Sequence, residues 1–597
     1  MESSTTTRRA LDASSIAEAF RITASQRSEQ VFLRTKDDEV SLTYGQALER
    51  IDAIAGGLAG LGLAQGHTAA LLIANRPEFA LVDLAVTMIG ATPFSIYMQY
   101  TPEQIRFVVS DAGARILICE QQFLPGVLEA RKQLPELEQI VVIDGHAPDG
   151  VTALADVEGA DPDFDVEASV ARLGPDDVLT LIYTSGTTGP PKGVQLSHRN
   201  LLAAVQAVEQ IVQFPDAARV ISWLPSAHIA ERAAHHYLPI VYGMTVTSCP
   251  NAKEILAYVA SVRPSWFFAV PRIWEKLKAG LEANFAGMPD EQRQQAEGAI
   301  AAATQKVRLE QAGQPVPDEL AAGVAQADAA LFSKLRAQLG FDQVEAVNVG
   351  AAPTPPEVLE FFHAIGIPVA ELWGMSETCG AGCVNPPDKI KIGTVGPPSP
   401  GVEVKLAEDG ELLLKSDVVM LGYRNLPDKT AEAIDAEGWL HTGDIATIDA
   451  DGYVTLVDRK KEIIINAAGK NMSPANIEAT VKSASPLIGQ VCVIGDRRAF
   501  NTALIVLDAD FAPAYAAKAG IEDPSLAALS RDERIRAAVQ AGIDGANAKL
   551  ARVEQIKKFS LVAGDWLPGG DELTPTMKLK RKPIAEKYSA EIEKMYA

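Results

Sequence analysis

Val178-Leu179-Thr180-Leu181-Ile182-Tyr183-Thr184-Ser185-Gly186-Thr187-Thr188-Gly189-Pro190-Pro191-Lys192-Gly193 joins an apolar run to a loop of glycines and hydroxyls that ends on a lysine. Residues 178–182 predict a buried strand, and a helical pattern begins near Ser197. Glycines accept positive φ and let the backbone approach a ligand closely. The freed N–H groups, with the hydroxyls of Thr184, Ser185, Thr187 and Thr188, suit phosphate oxygens. Lys192 adds a positive charge. Surface turns also favour Gly, Ser and Thr, but this density of hydroxyls exceeds what a turn requires. A P-loop needs G-x-x-x-x-G-K-[ST]. Pro191 stands where the second glycine should be and Gly193 where the hydroxyl should be, so that reading fails.

Outward from this loop, β-branched runs recur at residues 69–73, 116–119, 140–143, 267–270 and 344–349. Helical patterns at 77–89 and 200–212 lie between them. Strands alternating with helices predict an α/β fold with parallel sheets covered on both faces. Residues 281–337 are rich in Ala, Gln, Glu and Lys and predict a helical insertion, broken at Pro315 and Pro317. Val395-Gly396-Pro397-Pro398-Ser399-Pro400-Gly401 punctuates the chain. Short strands follow at 411–415 and 453–457, with Asp451-Gly452 as a turn. From about Arg459 strand and helix alternate again, which predicts a separate small α+β domain.

The 597 residues are enough for more than one domain and a large core. A net charge of −23 repels phosphate backbones and sets nucleic acid aside as a partner. The five cysteines are sparse and odd in number, which suits a reducing, cytoplasmic setting. Cys379 and Cys383 have neither the spacing nor the second pair of a zinc site. The N-terminus lacks the apolar run of a signal peptide. The apolar stretch 79–90 is interrupted by Asp83 and predicts a buried helix rather than a membrane span.

The 183–193 segment resembles the phosphate-binding motif of the adenylate-forming enzymes, a superfamily that includes acyl-CoA synthetases. Further motifs resemble the family in order along the chain. Leu224-Pro225-Ser226-Ala227-His228-Ile229-Ala230-Glu231-Arg232 is similar to its L-P-x-x-H segment, with a His-Ile-x-Glu-Arg ending like that of long-chain members. Gly350-Ala351-Ala352-Pro353 and Glu371-Leu372-Trp373-Gly374-Met375-Ser376-Glu377-Thr378 resemble loops that hold adenine and the α-phosphate. Gly438-Trp439-Leu440-His441-Thr442-Gly443-Asp444 resembles the ribose signature. Asp458-Arg459-Lys460-Lys461 resembles the hinge. Leu573-Thr574-Pro575-Thr576-Met577-Lys578 resembles the C-terminal lysine loop, with Met577 where other branches often carry glycine.

The resemblance implies a bacterial-type long-chain fatty acyl-CoA synthetase. Its large N-terminal domain, 1–458, would hold two α/β subdomains and a small β-barrel-like subdomain at about 395–458. A mobile α+β lid, 459–597, would follow. It implies ATP, CoA and a fatty acid as substrates and Mg²⁺ as cofactor. Lys578, Thr184, Glu377 and His228 are its catalytic residues, with Glu377 and Thr184 at the metal. Residues 184–189, Lys192, 350–352, 371–376, Asp444, Arg459 and Lys578 would bind ATP or AMP. Asp458, Lys460 and Lys461 form the hinge, and Gly469, Lys470 and Asn471 the loop that swings in for thioester formation. Other readings stay open: an acyl-AMP ligase serving a carrier protein, a CoA ligase for another acid, or a non-catalytic binder. A homodimer and peripheral membrane contact, the latter through Lys578-Leu579-Lys580-Arg581-Lys582, also stay open.

Overall fold

The computed structural model of the protein describes residues 9–184 and 190–597. Its largest sheet has eight strands. Thr68–Leu72, Thr92–Ser95, Ala114–Cys119, Gln139–Val142, Thr152–Ala153 and Val178–Thr184 run parallel, as their apolar sequences predict. At one edge Lys192–Ser197 pairs antiparallel with Val178–Thr184, and Gly422–Tyr423 adds a last short strand. The strand Lys192–Ser197 between the glycine loop and the following helix is absent from the sequence reading. The helix then starts at His198, where Ser197 and Asn200 form a reciprocal capping box.

Two four-stranded sheets complete the α/β part. One holds Arg219–Ser222, Thr245–Ser248, Val31–Arg34 and Ser41–Thr43; the other holds Trp266–Ala269, Ala346–Val349, Val369–Trp373 and Cys383–Val384. The helix Pro77–Ile89 matches its predicted bounds, with proline in its first turn and Gly90 closing it at φ 83°. The insertion is helical at Asp290–Gln311 and Asp318–Ala327, parted at the two prolines. Glu403–Leu406, Glu411–Lys415, Leu440–Ile448 and Val454–Arg459 form a four-stranded antiparallel sheet.

Beyond it, Ile488–Ile494, Asn501–Leu507 and Ile556–Leu561 form a three-stranded sheet covered by helices. Among the described residues, two apolar clusters draw only on residues 464–595, and three draw only on residues 10–454. Ion pairs join the two parts: Arg272 to Asp508, Lys276 to Asp510 at 2.8 Å and Lys549 to Glu357 at 2.6 Å. No helix among the described residues is long and apolar enough to cross a membrane.

Candidate active site

The candidate site, a cleft by analogy with open α/β sheets, lies where these two parts meet and Lys578 acts on His228 and Asp444. Thr184 and Lys192 face each other across the antiparallel pair that carries the glycine loop. Ser185, Gly186, Thr187, Thr188 and Gly189 lie outside the described residues. Thr184 Oγ1 donates to the Lys192 carbonyl at 3.4 Å. The Lys192 ammonium sits 3.8 Å from the centre of the Tyr423 ring. Burial lowers its pKa, opposed by the nearby Glu377 carboxylate. Glu377 is buried and accepts a 2.7 Å hydrogen bond from the Tyr423 hydroxyl.

Parallel strands Ala346–Val349 and Val369–Trp373 deliver their C-terminal loops to the same cleft, the usual place for ligands in open α/β sheets. Ala351 adopts φ 70°, in the left-handed region. Gly374 cannot be replaced without movement, because a Cβ there would lie 2.1 Å from the Gly380 carbonyl oxygen. Leu372 packs beneath this loop against the neighbouring apolar cluster. Met375 and Ser376 follow, with the Met375 N–H donating to Thr378 Oγ1 at 3.1 Å. Glu371 accepts from the Gly393 N–H at 3.0 Å, and burial raises its pKa to about 7.

Trp373 Nε1 donates to Asp444 Oδ2 at 2.9 Å, and Arg459 Nε approaches Asp444 Oδ1 at 2.7 Å. Asp444 and Arg459 are direct partners across two antiparallel strands, so strand register places this pair. Burial raises the Asp444 pKa, opposed by Arg459, Trp373 and Lys578.

Lys578 reaches the cleft from the far end of the chain. Its backbone N–H bonds Thr574 Oγ1 at 3.1 Å and its carbonyl accepts from the Thr574 N–H at 2.9 Å, closing a tight loop. The side chain is open to the water of the cleft yet surrounded by protein. That crowding, and then Arg459, lower its pKa, while Asp444, Glu377 and Glu462 oppose the shift. His228 Nδ1 accepts from the Ala230 N–H at 3.1 Å. Burial, and then Lys578, lower the His228 pKa to about 4, so the ring is neutral near pH 7.

Met577 sits at φ 65°, which explains why glycine suits this position. A Met577→Gly variant should form acyl-adenylate within about twofold of the parent rate. Met577→Val, β-branched at positive φ, should lose about tenfold, from about 1–2 kcal/mol of added strain. Pyrophosphate release without CoA checks both; equal rates for the two variants would contradict the strain argument.

The residues expected to form the hinge divide their bonds. Lys460 pairs with Asp409 at 2.5 Å and Glu411 at 3.0 Å, both in the large part. Asp458 accepts from Ser473 Oγ at 2.6 Å and the Ala475 N–H at 3.2 Å, both beyond the hinge. Lys461 is exposed and adds positive potential at Lys192. Gly469, at φ 74°, turns an exposed hairpin with Lys470 and Asn471. Gly469 and Lys470 bond to Asn466, neighbouring Ala467 bonds to the Arg498 carbonyl, and Gly469–Asn471 is exposed. The basic run after Lys578 turns inward: Lys580 bonds the Gly570 carbonyl, and Arg581 pairs with Glu462 and buried Glu478. Lys582 is exposed and lies 4.0 Å from Glu586.

Sequence reasoning missed two features. Asp83, read there as an interruption of an apolar run, is fully buried and pairs with Arg232 and, at 2.8 Å, with His236. Glu231 beside it accepts from the Leu224 N–H at 2.9 Å and contacts His235 Nδ1 at 2.7 Å. The Glu-Arg ending of the histidine motif is thus the buried support of residues 224–228. An acid at a helical spacing that faces the core was the available signal. The second missed feature is Tyr423, whose strand carries no recognisable motif.

Two family models match the chain, one described as AMP-binding enzyme over residues 20–424 and one as AMP-binding enzyme C-terminal domain over residues 461–597. The chain belongs to the AMP-binding enzyme family. It is 52% identical over 435 residues to fadD11 of Mycobacterium tuberculosis, which bears the name of a fatty-acid–CoA ligase; the match covers 73% of this chain and 76% of that protein. It is 34% identical over 566 residues to the long-chain-fatty-acid–CoA ligase FadD15 of the same organism, covering 93% and 92%. Among solved structures it resembles the anthranilate CoA ligase AuaEII in complex with anthranoyl-AMP, at 21% identity and a TM-score of 0.74, covering 98% and 100%; that likeness concerns the fold.

Proposed function

We propose that this protein is a long-chain fatty acid–CoA ligase that converts ATP, a fatty acid and CoA to acyl-CoA, AMP and pyrophosphate through an acyl-adenylate. The observation that carries the mechanism is the convergence of Lys578 with Asp444, Arg459, Glu377 and His228 from four separate motifs. The fatty carboxylate attacks the α-phosphate and pyrophosphate leaves. Catalysis of such a transfer is mainly positioning and charge stabilisation. Lys578, Lys192 and the 184–189 loop hold the phosphates. Asp444 accepts from the ribose hydroxyls, on lone pairs not taken by Trp373 and Arg459. Residues 350–352 and 371–376 enclose the adenine. His228, neutral in this setting, lines the acyl side without adding a second cation beside Lys578.

Magnesium takes one or two carboxylates together with phosphate oxygens and water. Glu377 fits that need: Tyr423 engages Oε1, and among the described residues no hydrogen bond reaches Oε2, so that oxygen could hold a metal. Thr184 supplies a hydroxyl at the loop's start. Bound there, the ion would neutralise charge on the triphosphate.

In the second step the CoA thiol, as thiolate, attacks the acyl carbonyl and AMP leaves. Residues 459–597 act as a lid that turns at 458–461, withdrawing Lys578 and bringing in Gly469, Lys470 and Asn471. The acyl chain runs along residues 223–237 and 266–268, behind His228. Following pyrophosphate and acyl-CoA together, across acids of increasing length, tests this reading.

A further inference from the structure

The segment that ends in Tyr423 ties two motifs together. The Met420 N–H donates to the Glu377 carbonyl at 2.9 Å, and the Arg424 N–H donates to the Gly193 carbonyl at 2.8 Å. Tyr423 stands between them, paired in register with Val194 at the edge of the large sheet. Its hydroxyl donates to Glu377 Oε1 at 2.7 Å, and its ring carries the Lys192 ammonium at 3.8 Å. Tyr423 and Glu377 are each about 7% exposed, so this arrangement is built rather than a passing surface contact. Burial, and then Glu377, push the phenol pKa well up, so it acts as a donor throughout the physiological range. One face of a ring and one hydroxyl thus hold a cation and an anion side by side, and neither needs to neutralise the other.

We propose that Tyr423 is a positioning residue for the triphosphate end of the nucleotide site. It fixes the Glu377 carboxylate through Oε1, so that Oε2 could hold a divalent cation, and it parks Lys192 until phosphate oxygens draw the ammonium off the ring. This rests on the reading of Glu377 given above. Groups that orient a metal's carboxylate are worth about 10–100-fold in metal affinity, and a desolvated cation–π contact with Lys192 adds a separate effect on ATP.

The test measures Mn²⁺ binding by electron paramagnetic resonance with α,β-methylene-ATP present, together with the affinities for α,β-methylene-ATP and AMP and the thermal midpoint. It compares the parent with Tyr423→Phe, Tyr423→Leu and Glu377→Gln. Tyr423→Phe keeps the ring and should weaken Mn²⁺ about tenfold, with AMP affinity and thermal midpoint close to the parent's. Tyr423→Leu should also weaken α,β-methylene-ATP by about a further fivefold. If Glu377→Gln weakens Mn²⁺ but Tyr423→Phe does not, the positioning role is overturned and the reading of Glu377 stands. If neither variant weakens Mn²⁺, both are overturned. If Tyr423→Phe weakens AMP and Mn²⁺ equally, the residue is structural and the proposal fails.

Discussion

Lys578→Ala should abolish acyl-adenylate formation, by about 10³-fold or more, while the protein still converts supplied acyl-AMP and CoA to acyl-CoA at near the parent rate. Its ammonium is placed among Asp444, Arg459, Glu377 and His228, where charge builds on the phosphates in the first step. Removing one such preorganised donor commonly costs about 10²–10³ in rate, and Lys578 carries a full charge. On the proposed two-step reading, the lid turns before the second half-reaction and takes the lysine away. Rapid-quench measurement of each half-reaction checks this, and equal loss in both would contradict it. The pH profile follows in sign. Lys578 must be protonated, and its pKa is lowered, so adenylation falls as pH rises through that lowered value. The fall comes below the ordinary lysine value of about 10.4. A profile that stays flat up to that value would count against the assignment.

Asp83→Ala should be the most destabilising of the substitutions considered, by about 3–5 kcal/mol, because it leaves the Arg232 charge buried without its partner. Arg232 and Asp83 are both fully buried, and Arg232 also donates to Ser95 and Tyr237. Asp83→Leu combined with Arg232→Met should recover much of the loss, since a well-packed apolar pair is often as stable as the ions it replaces. Thermal unfolding of these two variants measures this; an Asp83→Ala protein as stable as the parent would contradict it. Burial pushes the Asp83 pKa up, but Arg232 and His236 outweigh it and hold the pKa below the ordinary value. A depressed carboxylate pKa means stability that is present above the unfolded value of about 3.9 and lost as pH falls through the folded one. The parent should therefore lose stability in acid more steeply than the Leu/Met pair.

What the sequence made legible was local chemistry at short range. The loop before Lys192, the Trp373–Glu377 run and the 438–444 segment each carry residue types whose spacing constrains a backbone and a ligand at once. The helix Pro77–Ile89 could be bounded because Pro77 and Gly90 mark its ends in the chain itself. The strand Lys192–Ser197 escaped because its apolar alternation is only six residues long and runs directly into a helix cap. Asp83 escaped for a different reason. A buried acid is intelligible only once Arg232, 149 residues away, is known to face it. Tyr423 is similar: its meaning comes from Glu377 and Lys192, which a sheet edge and a strap of backbone bring to it. Long-range pairs that satisfy buried charge leave no periodic trace, and only the folded chain reveals them.

The most direct test of the two-step account incubates the pure protein with Mg²⁺-ATP and acids from acetate to very long fatty acids, with and without CoA. Pyrophosphate, acyl-AMP and acyl-CoA are followed together. The account predicts that long-chain acids release pyrophosphate and yield bound acyl-AMP without CoA, and that adding CoA converts it to acyl-CoA and AMP. Acyl-AMP that accumulates and is not consumed by CoA, or failure of every long-chain acid to release pyrophosphate, would contradict it.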